Sequence, residues 1–107
     1  MELWTGLVCL VANPDCKNFR RFGEGKGAYV HVAAWAESRS HFEARVKLSA
    51  EQLDCILREI EEVGLLESKM KAEAYPEEFL DMRNTASRQP DDVVFGTFHY
   101  WLENDVN

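Results

Sequence analysis

ESRSHFEARVKLSAEQLDCILREIEEVGL, residues 37–65, is the stretch that decides the fold, because it divides into helix and strand in two different orders. In the first, Ser38 or Ser40 caps a helix running to about Leu53. Phe42, Val46, Ala50 and Leu53 then face the core, and residues 55–63 return as a strand. In the second, His41 to Leu48 is a strand, since Phe42, Ala44, Val46 and Leu48 alternate with His41, Glu43, Arg45 and Lys47. Ser49 then caps a helix, Gln52 completes a capping box, and Leu53, Ile56, Leu57, Ile60 and Val63 form the apolar stripe. The local pattern favours the second order, because each piece matches its own period.

The flanking segments are easier to read. Residues 2–12 are apolar on both alternating sets: Leu3, Leu7, Cys9 and Val11 on one, Trp4, Val8, Leu10 and Ala12 on the other. That predicts a strand buried on both faces, ended by the turn residues Asn13-Pro14-Asp15. Residues 28–36 predict a second strand, with Tyr29, His31, Ala33 and Trp35 opposite Val30, Val32, Ala34 and Ala36. Residues 65–75 read as a loop. Residues 76–88 predict a helix, with Pro76 in its first turn, Glu77 and Glu78 beside it, and Phe79, Met82 and Ala86 facing the core. Residues 92–103 predict a strand with Val93, Phe95, Thr97, His99 and Trp101 on one face and Val94, Phe98, Tyr100 and Leu102 on the other.

The expected fold is therefore a single α+β domain over 1–107. It is a two-layer sandwich of a four- or five-stranded mixed sheet with two helices, and ferredoxin-like is the nearest common version. The stretch AYVHVAAWAESRSHFEARV resembles the strand-helix opening of small ferredoxin-like proteins, where a turn of small residues and Ser leads into a helix with a buried aromatic. The final VVFGTFHYWLE resembles the last strand of small uncharacterised bacterial proteins. That resemblance implies the first order for residues 37–65, and it carries no activity.

Charge narrows the function classes. The formal net charge of -7 resides in residues 51–81, where ten acids face three bases. A surface of that sign repels nucleic acid and anionic membranes and attracts a basic protein. No apolar run approaches the ~18–20 residues of a membrane span, and the N-terminal Met1-Glu2-Leu3-Trp4 lacks a basic leader pattern, so the expected location is cytoplasmic. Cys9, Cys16 and Cys55 are odd in number and widely spaced, which predicts neither disulfides nor a zinc site. Cys9 and Cys55 read as core residues and Cys16 as a loop residue.

Three candidate sites emerge. Lys17, Phe19, Arg20, Arg21, Phe22 and Lys26 sit in the loop KNFRRFGEGKG, whose bases, aromatics and glycines suit an anion such as a phosphate or nucleotide. The spacing is neither a Walker A loop nor a dinucleotide fingerprint. His31 and His99 would converge on one face if their strands are neighbours, but no third ligand accompanies them, so no metal or other cofactor is expected. Trp4, Phe98, Tyr100 and Trp101 would remain partly in water on the face the helices leave bare, which predicts a homodimer. No catalytic motif is present: there is no G-x-S-x-G elbow, and Cys55 has no placed histidine. The sequence thus reads as a non-catalytic binding or regulatory module working through protein contacts, for example on a basic partner. The alternative is a small-ligand domain using the 17–27 loop.

Overall fold

The computed structural model describes residues 1–12, 27–53, 55–74 and 76–101, with the backbone alone for 12, 100 and 101. β1 (Glu2–Ala12) and β2 (Gly27–Ala36) form a long antiparallel ladder from Glu2↔Ala36 to Val11↔Gly27. α1 (Arg39–Gln52) then leads to β3 (Cys55–Leu65), which pairs antiparallel with the other edge of β1. α2 (Leu66–Ala72) and α3 (Glu77–Arg88) follow. β4 (Val94–Phe95) and β5 (His99–Trp101) both pair with the outer edge of β2. The sheet order is β3-β1-β2-β4, with β5 continuing the β4 position.

Among the described residues every pairing is antiparallel, so the sheet there is not mixed, and three helices pack on it where two were expected. β1 and β2 are also antiparallel neighbours, which departs from the βαββαβ order of a ferredoxin-like chain, whose first two strands run parallel. β2 and β3 both oppose β1, so α1 crosses above β1 to connect them.

Residues 37–65 adopt the first of the two orders. Ser38 caps α1: its extended backbone ends the strand, and its hydroxyl accepts from His41 N at 3.1 Å. His41 Nδ1 in turn accepts from Glu37 N at 3.0 Å. Phe42, Val46 and Ala50 are buried one turn apart, with Leu53 packed beside them. The strand expected at 41–48 fails because Ala44 and Leu48, its would-be inward partners, are exposed. The helix expected from Ser49 fails for a less obvious reason. β3 is bulged twice. Leu57 pairs with Leu10 but Glu59 with Cys9, and a second slip lies between Glu61↔Leu7 and Gly64↔Thr5. Each extra residue turns the strand by one position, so Cys55, Leu57, Ile60 and Val63 all pack against the α1 side. Spacings of three are helical in a regular chain, and two bulges give them to a strand.

The core has two parts because the sheet has two covered regions. On the α1 face, Val8, Leu10, Val30, Val32 and Ala34 meet Phe42, Val46 and Ala50. On the other face, Ala33 meets Leu66 and Met70 of α2 and Phe79, Met82 and Ala86 of α3. α2 lies where a loop was expected; its seven residues are too few for a helical period to show. The Lys69 ammonium bridges Glu62 at 3.4 Å and Glu73 at 3.3 Å, fastening α2 to the end of β3. Burial disfavours that charge, but the two carboxylates outweigh it and raise the Lys69 pKa.

The expected strand 92–103 is broken among its described residues. Between Val32↔Phe95 and Tyr29↔His99 this strand holds one residue more than β2, and the chain stays attached through Gly96 N donating to His31 O at 2.8 Å. The extra residue moves Phe98 to the same side as Phe95, where the rings stack at 5.9 Å, instead of opposite faces as simple alternation implied.

Two tryptophans make a stability prediction. Trp35 Nε1 donates to Ala86 O near the end of α3 at 3.0 Å, whereas Trp4 Nε1 is buried with no partner among the described residues. A buried orphan donor is a standing cost, so Trp4→Phe removes a penalty along with some packing. Trp35→Phe strands a carbonyl. Urea unfolding should place Trp4→Phe within ~1 kcal/mol of wild type and Trp35→Phe ~1–2 kcal/mol below it.

Candidate interaction surface

The second sheet face is covered along only part of its length. α2 and α3 lie over the end formed by Leu3, Ala33 and Trp35. Toward the other end, register places Leu7, Cys9 and Val11 of β1 beside Tyr29 and His31 of β2, with Ile56, Glu59 and Glu61 of β3 along one side. Among the described residues no helix lies over this half. Tyr29 is 41% exposed and Ile56 50%, while Leu7 and Val11 are half-buried. His99 pairs with Tyr29 and so joins the same row, which reads Glu59, Cys9, Tyr29, His99 across four strands.

Chemically this row is quiet. The Tyr29 hydroxyl and the Cys9 thiol hydrogen-bond each other. Burial pushes the Cys9 thiol above its ordinary value, the Tyr29 hydroxyl offsets part of that, and Glu59 adds to the rise. Tyr29 is raised as well, first by Cys9 and then by desolvation. A thiol held protonated and covered is a poor nucleophile. Cys55, the cysteine singled out from the sequence, lies on the α1 face, with Sγ 3.5 Å from Leu53 O and the sheet between it and His31. Iodoacetamide at pH 8 should therefore leave Cys9 and Cys55 unmodified in the folded protein and alkylate both in urea, as read by peptide mass spectrometry. Labelling of native Cys9 at the rate of a free thiol would contradict this placement.

His31 and His99 do fall on one face, as their strands are neighbours. His31 is engaged edge-on with Phe79 at 5.0 Å between centroids. Among the described residues no three His, Cys, Asp or Glu side chains gather as a metal site. The loop candidates Lys17, Phe19, Arg20, Arg21, Phe22 and Lys26 lie outside the described residues. Of the expected interface set, Trp4 and Phe98 pack against the core on the α1 face, because α1 crosses over it, and so stand away from the bare surface. The backbones of Tyr100 and Trp101 pair with Ala28 and Gly27, and their side chains lie outside the described residues. Trp4 and Phe98, expected on the face the helices leave bare, thus lie on the face that α1 covers.

A separate cleft of about 360 Å³ opens between the start of β1 and helices α2 and α3, floored by Leu3, Trp35, Leu65 and Leu66. Its helix-borne charges, Glu67 and Arg83, pair with one another at 3.0 Å. That volume is at the low end for small-molecule sites.

The fold and surface define a small α+β domain built on an antiparallel sheet with one face covered by a helix and the other covered in part. In comparisons with known proteins, no family model, no curated protein and no solved structure matches this chain. Among the described residues no helix is long and apolar enough to cross a membrane.

Proposed function

We propose that this chain is a non-catalytic protein-binding module that offers to a basic partner the half of its second sheet face that the described residues leave uncovered. The observation that carries this reading is the coincidence of exposed Tyr29 and Ile56 with Glu59 and Glu61 on one side of a single sheet surface. Large apolar side chains give an interface its affinity by leaving water, and the carboxylates select the sign of the partner and steer its approach. The quiet chemistry of Cys9 fits a surface that binds and does not react. A homodimer through this same surface is the competing occupant, and it would bring like charges of the two copies toward one another.

The test is affinity capture from the native host at low salt, wild type beside Glu59→Lys/Glu61→Lys. A partner of high isoelectric point that is held by the wild type, lost from the variant and released by ~0.3 M salt supports the reading. A partner retained equally by both proteins, or a wild type that holds none and remains a monomer by light scattering, counts against it.

A further inference from the structure

We infer that the occupant of the half-face that the described residues leave uncovered is an amphipathic basic helix of another protein, laid on the sheet beside α3; this rests on the reading of the chain as a protein-binding module. A partner could meet the sheet in two ways, by adding a strand to its edge or by covering its face. Both edges are blunted: the described residues of β4 and β5 are strands of two and three residues with an extra residue between their pairings, and β3 is interrupted. β3 carries two bulges that interrupt its ladder, a positive φ of 53° at Glu62, and exposed charges at Arg58, Glu59, Glu61 and Glu62. These are the devices by which edge strands refuse a further strand.

The face has the opposite character. It spans four strand positions, about 14 Å at ~4.8 Å spacing, and the rows from Leu7 to Val11 add a similar length. A helix with its side chains is ~10–12 Å across, so one helix fills this area. The adjoining half of the same face is already covered by helices, and Phe79 of α3, edge-on to His31, forms the wall against which another helix would lie. An apolar stripe would rest on Leu7, Val11, Tyr29 and Ile56, and bases on its flank would reach Glu59 and Glu61. Charge decides between occupants: an acidic helix, or the acidic surface of a second copy, meets repulsion there.

The probes are three synthetic 14-residue peptides: a Leu/Lys amphipathic helix, its Leu/Glu counterpart, and the Leu/Lys composition interrupted by two prolines. Binding to the full chain is measured by calorimetry, with NMR shifts locating the site, for wild type, Ile56→Ser and Glu59→Gln/Glu61→Gln. The inference expects the Leu/Lys helix to bind at least tenfold tighter than either other peptide. It also expects each variant to weaken binding at least tenfold, with shifts concentrated at Leu7, Val11, Tyr29 and Ile56. Equal binding of the proline-interrupted peptide, or helix binding that neither variant changes, overturns it. A chain that ignores all three peptides yet dimerises in an Ile56-dependent way also overturns it, with a second copy as the occupant. Equal binding of the proline-interrupted peptide, or helix binding that neither variant changes, leaves the binding-module reading standing, whereas dimerisation through Ile56 or failure of the host capture removes both.

Discussion

Phe42→Ala should lower the unfolding free energy by ~3–5 kcal/mol, the largest loss expected from any single truncation among the described residues. Phe42 is 0% exposed and is the largest fully buried side chain among the described residues, seated where α1 crosses β1. Its removal forfeits the transfer energy of an aromatic ring and leaves a cavity between a helix and a sheet, which close only partly. For a domain whose total stability is of the order of 5–15 kcal/mol, that is a large fraction. Leu48→Ala is the matched control. Leu48 is 56% exposed on the outer side of the same helix, and its truncation should shift the urea midpoint by less than ~0.5 kcal/mol equivalent. A strand over 41–48 would put both residues on one face with comparable losses, so the contrast tests the helix itself.

Gly6→Ala should cost ~1–3 kcal/mol, although alanine has the better intrinsic propensity. A Cβ at Gly6 would stand 3.2 Å from Ile60 Cγ2, 3.3 Å from Phe42 Cε2 and 3.4 Å from Glu61 O. The absent side chain lets α1 approach the sheet closely enough for the Phe42 ring to lie against β1. The two positions therefore compete for one volume. In the double variant Phe42→Leu/Gly6→Ala the smaller side chain yields space to the added methyl, and the combined loss should fall short of the sum by at least ~0.5 kcal/mol. Additive losses would mean that the backbone absorbs the methyl without involving Phe42.

How much of this was legible beforehand depends on the element. β1, β2 and α3 were read with nearly their observed bounds, since each keeps one period from end to end and is punctuated by Pro, Gly or a cap. For β3 the choice between helix and strand stayed open, because its bulges at Arg58 and near Glu62 replace alternation by spacings of three that also suit a helix. The C-terminal strand lost its alternation to a similar extra residue around Gly96. A bulge is fixed by the strand opposite, and its position is not written in the bulged segment alone.

The candidate surface divides in the same way. Its acidity, the double apolarity of β1 and the presence of more apolar surface than the helices could cover followed from composition and order of residues. Which side stayed bare did not. That depended on α1 crossing over β1 to set β3 on its far edge, and on Leu66 and Met70 forming a short helix over one end of the opposite face. Sequence by itself determined an acidic α+β chain, two long strands, the α3 helix and the buried identity of Cys9 and Cys55. Tertiary structure decided the order of helix and strand in 37–65, the antiparallel sheet, and the company of Tyr29 and Ile56 with Glu59 and Glu61. The physical reason is one of range: period, caps and turns act within a few residues, whereas bulge register and the covering of a sheet face are settled by contacts between segments tens of residues apart.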